Sequence, residues 1–222
     1  MSYRVRLSGQ NFVFQDVKEV LAKANELKSG DVLAGVAAQS ELERVAAKEA
    51  LAEMLLCDLR ENPVVPYEID DVTRINQDGL NEVVYGRIKH WTVAQLREWI
   101  LSYETTEEQL RDLSRGLTAE MVAGVAKLMS NLDLIYAASR LQVPARCNTT
   151  IGLRGTLATR LQPNHTTDGV EGITASLFEG LSYGCGDALI GLNPVNDTVA
   201  SLSEVLKRFD EVKQEFQIPT QI

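Results

Sequence analysis

The spacing of hydrophobic positions changes twice along the chain and predicts a mainly helical first part followed by alternating strands and helices. Two apolar-polar alternating runs, Tyr3–Leu7 and Phe12–Phe14, flank a Ser-Gly-Gln-Asn turn and predict a short β-hairpin. From Asp16 onward, apolar residues recur at the spacing of an α-helix. This spacing predicts a succession of helices that extends to Leu141.

Polar residues and glycines suggest where several of these helices begin and end. The first helix is expected to reach Leu27, with Gly30 at its C-terminal cap. Ser40, followed three residues later by a glutamate, predicts a capping box and the start of a second amphipathic helix. Thr118 is expected to open a long helix that continues to Leu141.

After Pro144 the pattern switches to strand, helix, strand and helix. The predicted order is a strand at Thr149–Leu161, a helix from Asp168, a strand at Asp187–Leu192, a helix from Asp197, and the start of a third strand at residues 217–222. Strands separated by helices in this way pair in parallel. The fold class is therefore α/β.

A near-repeat marks the ends of the two predicted strands. Leu161-Gln162-Pro163-Asn164 recurs in outline as Leu192-Asn193-Pro194-Val195-Asn196, about one βα unit later. α/β proteins place their ligand sites at the C-terminal ends of parallel strands. Because residues i and i+2 of a strand face the same side, Arg160 projects with Gln162 and Asn193 with Gly191, whose missing side chain would leave room for a small molecule.

These side chains suggest binding more than acid-base chemistry. The guanidinium of Arg160 and the amides of Gln162 and Asn193 could hold a hydroxyl, a carbonyl or an ammonium, but they include no general base and no nucleophile. The alternative is structural, with Arg160 in a salt bridge at a strand edge and the two amides capping turns. The spacing of the residues favours neither interpretation.

Composition narrows the classes of function. The chain has 222 residues, 45% of them hydrophobic, and a formal charge of −9, which argues against binding to a nucleic-acid backbone. No apolar stretch is long enough to predict a membrane span, and no signal peptide is visible, so we expect a cytoplasmic protein. The spacing of Cys57, Cys147 and Cys185 predicts free thiols, and no protein-ligated metal is expected.

Longer blocks of sequence carry a resemblance to a known family. The chain resembles the large, catalytic subunit of ethanolamine ammonia-lyase from about Phe12 to Gln221. The blocks that carry the resemblance are Phe14–Leu27, Ser29–Ala38, Asn148–Gly152, Arg160–Asn164 and Ile190–Val195. The resemblance implies an adenosylcobalamin enzyme that converts ethanolamine to acetaldehyde and ammonia by a radical mechanism. It also implies a small-subunit partner in a hetero-oligomer, and it leaves open a location in a bacterial microcompartment.

The same resemblance implies a fold and a site. It implies a mainly helical N-terminal region at residues 1–146, followed at residues 147–222 by the first βα units of a (β/α)8 TIM-type barrel. Arg160, Gln162 and Asn193 would contact the substrate, and Pro194 would lie against the cobalamin. No catalytic residue is assigned within these residues.

Length decides how the barrel is interpreted. A closed (β/α)8 barrel takes about 250 residues, far more than follow Asn148, so we expect the N-terminal half of a longer enzyme, truncated in strand three. Two alternatives stay open. Another barrel enzyme would need a catalytic lysine near a strand end or a phosphate loop, and neither is visible. The other alternative is a non-catalytic assembly module.

The isolated chain of 222 residues is expected to self-associate and to show no ethanolamine turnover. An open sheet leaves unpaired strand edges and an exposed apolar face, both of which favour association. Size-exclusion chromatography and an acetaldehyde-release assay with adenosylcobalamin test this. A monodisperse monomer that releases acetaldehyde would contradict it.

Overall fold

The computed structural model describes residues 2–222, and the chain divides into two compact units, Met1–Leu141 and Gln142–Ile222. The class is α/β, with many helices and few, short strands. The boundary after residue 146 concerns the domains of the family's whole subunit and stays a prediction.

The first unit opens with the predicted hairpin. Strand β1 (Tyr3–Leu7) pairs antiparallel with β2 (Gln10–Phe14). Ser8 and Gly9 form the two-residue turn with φ of 48° and 78°, and two positive φ values are what a tight hairpin turn requires. Only the start of β2 differs from the expectation.

Four helices follow the hairpin: α1 (Val17–Lys23), α2 (Ser29–Leu33), α3 (Glu41–Glu53) and α4 (Leu56–Glu61). The prediction that the first helix reaches Leu27 with Gly30 as its cap is wrong. The amide of Asn25 donates to the carbonyl of Ala22 at 3.2 Å, a tighter turn that ends the helical pattern. Gly30 lies within α2 instead.

Ser40 caps α3, but the predicted capping box is only half formed. The Ser40 hydroxyl accepts from the Glu43 amide at 3.1 Å, as expected. The Glu43 carboxylate accepts from the amide of Gln39 at 2.6 Å, one residue earlier than the motif predicts. The start of the helix is confirmed, but the Glu43 carboxylate accepts from the amide of Gln39 and not from that of Ser40.

Six more helices complete the first unit: α5 (Asp71–Asp78), α6 (Glu82–Ile88), α7 (Val93–Leu101), α8 (Glu107–Ser114), α9 (Ala119–Lys127) and α10 (Asn131–Ser139). Thr118 caps α9 as predicted. The single helix expected from Thr118 to Leu141 is wrong. Ser130 and Asp133 exchange side-chain to backbone bonds at 3.2 and 2.9 Å, which starts a separate helix. Helix α8 was not predicted.

The core of the first unit joins the hairpin to α1, α3, α4, α6, α7 and α9. Its largest fully buried side chains are Phe14, Leu51, Met54, Leu56, Leu59, Ile88, Leu96 and Met121. Each such side chain contributes about 1.5–3 kcal/mol relative to exposure. Trp91 packs against this core with its ring centroid 6.0 Å from that of Trp99, so this aromatic pair is engaged in packing.

The second unit contains four two-residue strands and two long helices: β3 (Ala145–Arg146), β4 (Thr150–Ile151), β5 (Arg160–Leu161), α11 (Val170–Ser182), β6 (Leu189–Ile190) and α12 (Val199–Glu215). The continuous strand predicted at Thr149–Leu161 is wrong. β4 turns back antiparallel to β3, and Gly152 and Gly155, with φ of 83° and 74°, redirect the chain before β5.

β5 and β6 pair in parallel, with α11 as the crossover between them and α12 after them. Their inward residues pack with both helices in a second core, built from Ile173, Leu177, Ile190, Val205, Phe209 and Val212 with Leu161 at its margin. Gly180 of α11 admits the side chain of Leu161, because a Cβ there would lie 2.2 Å from a Leu161 methyl carbon. This arrangement confirms the predicted order of parallel strand, helix, strand and helix.

The expected helix starts in this unit are each wrong by one residue. Gly169 precedes α11, and Asp168 lies outside the helix in a left-handed conformation with φ of 52°. Thr198, and not Asp197, caps α12 by accepting from the Ser201 amide at 3.4 Å. Residues 217–222 are not assigned as a strand, although the Gln221 carbonyl accepts from the Ile190 amide at 2.9 Å.

Replacement of Gly116 by alanine should destabilise the first unit by about 1–3 kcal/mol, as expected for overpacking. A Cβ at Gly116 would lie 2.7 Å from the Tyr85 amide nitrogen and 2.8 Å from a methyl carbon of Val84, both on α6. The matched control is Gly86→Ala within α6, where an added Cβ would meet nothing within 4 Å. Gly86→Ala should be neutral or stabilising by up to about 1 kcal/mol. Urea unfolding followed by circular dichroism would refute this expectation if both variants had the same midpoint.

Candidate active site

The parallel pair of β5 and β6 brings the two predicted strand ends to one edge. Arg160 lies opposite Leu189 and Leu161 opposite Ile190 in the register. The Leu161 carbonyl accepts from the Gly191 amide at 2.8 Å, so the pairing continues for one residue past β6. The segments that begin at Gln162 and at Gly191 therefore leave the sheet side by side.

Alternation along these strands separates a packed face from an open one. Ile190 is fully buried against α11 and α12, and Leu161 lies on the same side. Arg160, which precedes Leu161, is exposed. Because neighbouring strand residues point to opposite faces, Arg160 projects on the face away from the helices.

The side chain of Arg160 reaches across to the second strand. A Cβ built on Gly191 would lie 2.7–3.1 Å from three guanidinium atoms of Arg160, so the guanidinium rests directly over Gly191. The space that the sequence assigned to a small molecule beside Gly191 is thus filled by Arg160. Because Gly191 has no side chain, the Arg160 guanidinium of β5 can approach the backbone that follows β6.

Arg160, Gln162 and Asn193 are exposed and carry no internal polar interactions. Within residues 2–222, none of the three side chains makes a hydrogen bond or an ion pair. The structural alternative predicted a salt bridge for Arg160 and turn caps for the two amides. Neither is present among the described residues, so the donors and acceptors of these side chains are available to a ligand.

Pro194 follows Asn193 directly and is half-buried, between the exposed side chains of Asn193 and Val195. Val195 is 71% exposed, so an apolar surface adjoins the amide of Asn193.

At the N-terminal ends of β5 and β6, the polar side chains hydrogen-bond to groups of the chain itself. Asp187, just before β6, accepts from the amide and the hydroxyl of Thr159, just before β5. These hydrogen bonds hold the pKa of Asp187 below its usual value. At this end the polar groups bind one another, whereas the side chains of Arg160, Gln162 and Asn193 at the C-terminal ends have no hydrogen-bond or ion-pair partner among residues 2–222.

Asp168 is a residue of this edge that the sequence interpretation missed. It is 9% exposed, and its carboxylate accepts from the backbone amides of Val195 and Asn196 at 2.9 and 2.5 Å. Its position before a helical run indicated a helix start. The only sequence signal for another role is that aspartate tolerates a left-handed backbone and that a glycine follows it here.

The part of the chain that the structure describes contains neither a cluster of metal-donor side chains nor a membrane-spanning helix. Within residues 2–222, no three or more histidine, cysteine, aspartate or glutamate side chains come together as a metal site. No helix in the same range has both the length and the apolar composition needed to cross a bilayer. The three cysteines are free, and burial together with Asp58 and Glu61 raises the pKa of the Cys57 thiol.

Comparison with known proteins defines the family to which the chain belongs. Residues 12–222 match the family model described as ethanolamine ammonia lyase large subunit (EutB). The chain is 55% identical over 221 residues to the ethanolamine ammonia-lyase large subunit of Escherichia coli (strain K12), and the match covers 100% of the chain and 49% of that protein. The large subunit of Salmonella typhimurium (strain LT2) is 54% identical with the same coverage.

The chain belongs to the ethanolamine ammonia-lyase large subunit family. This confirms the resemblance found in the sequence. The chain spans about half the length of the curated relatives that it matches.

Proposed function

We propose that the chain acts as part of an adenosylcobalamin-dependent ethanolamine ammonia-lyase large subunit, which converts ethanolamine to acetaldehyde and ammonia. The observation that carries this proposal is the meeting of Arg160, Gln162 and Asn193 at one strand edge without internal partners, in a chain whose relatives are large subunits of this enzyme. Support from the relatives extends over the whole chain at 55% identity.

The second unit would form the first two βα units of a (β/α)8 barrel, which would follow a helical N-terminal region along the chain. The support is the order β5, α11, β6, α12 and the parallel register of the strands. The Gln221 carbonyl accepts from the Ile190 amide, so Gln221 lies on the side of β6 where a third strand would pair. In such a barrel the open polar edge would lie at the catalytic face.

Each polar side chain has a role that suits ethanolamine. The guanidinium of Arg160 would donate to the substrate oxygen, since it offers fixed donors and no acceptor. The amide of Gln162 would orient the two-carbon chain, and the carbonyl of the Asn193 side chain would accept from the ammonium. The glycine at position 191 keeps the guanidinium against the second strand, which holds its donors near the start of the Asn193 segment.

The residues around Pro194 fit an adenosylcobalamin site. A half-buried pyrrolidine ring beside the exposed Val195 offers a flat apolar contact, and the neighbouring Asn193 amide offers a polar one. Pro194 would contact the cofactor, which when bound would supply radical hydrogen-abstraction chemistry. The chain's own task would then be to bind, orient and shield the substrate, because the reactivity comes from the cofactor.

The proposed partners follow from the same assignment. The relatives are named large subunits, which supports a small-subunit partner and a hetero-oligomer. A cytoplasmic location, with association with a bacterial microcompartment left open, completes the proposal.

Replacement of Arg160 by alanine in the complete large subunit, assembled with its small subunit, should lower kcat/KM for ethanolamine roughly 100-fold or more. That is the size of loss expected when one preorganised donor is removed from a shielded site. Arg160→Lys should recover only part of the activity, because an ammonium cannot reproduce the planar guanidinium.

The matched control for this experiment is Arg208→Ala. Arg208 lies on α12 and pairs with Glu211 at 3.0 Å, in the same unit but as part of a surface ion pair. Removal of a surface ion pair should leave turnover within about twofold. Near-normal turnover of the Arg160→Ala enzyme would withdraw the substrate-binding role of Arg160.

Gln162→Ala and Asn193→Ala should show coupled losses of kcat/KM in the complete enzyme. If both amides contact one small substrate, the first truncation already disturbs the pose that the second amide needs. The coupling energy should exceed about 0.5 kcal/mol, the usual limit of additivity for independent sites. Gln162→Ala combined with Gln214→Ala on α12 is the control, because Gln214 binds Asp210 instead. Additive losses in the first pair would contradict a shared site.

A further inference from the structure

Asp168 is a buried carboxylate that does not serve the helix beside it. It stands immediately before Gly169, which occupies the N-cap position of α11, a position that aspartate ordinarily favours. Its backbone adopts a left-handed conformation with φ of 52°, and no side chain caps the start of α11. The conformation turns the carboxylate away from α11 and toward the segment that follows β6.

The carboxylate binds two consecutive backbone amides of that segment. The Val195 amide donates to both carboxylate oxygens, at 3.0 and 2.9 Å, and the Asn196 amide donates to Oδ2 at 2.5 Å. Successive amides pointing to one place form a concavity that favours an anion. Here the anion is a side chain from the loop that precedes the neighbouring helix, 27 and 28 residues away in sequence.

These bonds restrict the segment that carries Asn193. On one side the Gly191 amide is held by the Leu161 carbonyl at 2.8 Å, and on the other the Val195 amide is held by Asp168. Between the two anchors, Pro194 has a restricted φ. Few backbone torsions remain free to place Asn193.

The segment is also anchored downstream. The side chain of Asn196 accepts from the Thr198 amide at 3.1 Å, and Thr198 caps α12. The loop that begins at Gln162 and the loop that contains Asn193 are thus joined by a single buried carboxylate. Removal of that carboxylate would uncouple the two loops without touching any side chain proposed to contact the substrate.

We infer that Asp168 is a positioning residue of the ethanolamine site: its carboxylate holds the backbone of Val195 and Asn196 and so sets the position of Asn193 relative to Arg160 and Gln162. The inference rests on the proposed function. It assigns Asp168 no contact with the substrate.

Two substitutions test the role in the complete large subunit with its small subunit. Asp168→Asn keeps the shape and one acceptor oxygen but replaces the other oxygen with a donor. Asp168→Gly removes the acceptors and suits the left-handed backbone, so its effects cannot come from backbone strain. We expect kcat to fall by at least about 10-fold in the glycine variant and less in the asparagine variant, with a smaller change in KM, because misplacement of a bound substrate lowers the rate of the chemical step.

The matched control is Asp197→Asn, which removes the same charge two residues beyond Val195. Asp197 is exposed and accepts neither of the two amides. Turnover of the control should stay within about twofold of the wild type. Hydrogen exchange in peptides that cover residues 191–198 should be faster in both Asp168 variants than in the control, a readout that does not depend on activity.

A double-mutant cycle separates positioning from general stabilisation. If Asp168 acts through Asn193, Asp168→Gly should cost much less in an Asn193→Ala background than in the wild type. An equal cost in both backgrounds, or kcat values for the Asp168 variants equal to that of Asp197→Asn, would overturn the inference. Failure of the wild-type enzyme to turn over ethanolamine would instead overturn the proposed function, while the exchange measurement would still test the link between the loops.

Discussion

The parallel pairing of β5 with β6 is the constraint on which the candidate site depends. Each strand is only two residues long, so backbone bonds alone would be marginal. What holds the pair is the burial of Leu161 and Ile190 beneath α11 and α12, where Phe209, Leu177 and their neighbours exclude water. This pairing places the Arg160 guanidinium over Gly191. It also brings the segments that begin at Gln162 and at Gly191, which are distant in sequence, to one edge of the strand pair.

The two ends of this strand pair differ in whether their polar side chains have partners within the chain. At the starting end, Thr159 and Asp187 satisfy each other, and Thr149 donates to the Asp187 carbonyl at 3.0 Å. At the finishing end, the three exposed polar side chains make no such bonds within residues 2–222, while the backbone beneath them is tied by Asp168. A rigid backbone under unpaired side chains is the arrangement that a preorganised site needs.

Local patterns predicted some features of the first unit better than others. The hairpin and the caps at Ser40 and Thr118 depend on residues near one another in sequence, and they are confirmed. The prediction of one long helix to Leu141 was wrong because the apolar spacing continues across Ser130. Reciprocal side-chain to backbone hydrogen bonds between Ser130 and Asp133 begin a new helix there. Periodicity reports a buried face, but it does not report where the backbone bonds are interrupted.

The sequence by itself determined the order of strand, helix, strand and helix from β5 to α12, the residue types at the ends of these strands and the family to which the chain belongs. The order of elements follows from the short-range periodicity of apolar residues, and the family follows from the long blocks of sequence that resemble it. Only the tertiary structure decided that Arg160 lies over Gly191 and that Asp168 binds Val195 and Asn196 instead of capping α11. The physical reason is distance along the chain: these contacts join residues about 30 positions apart, and they form only after the helices have packed on the strands and have brought the two loops together.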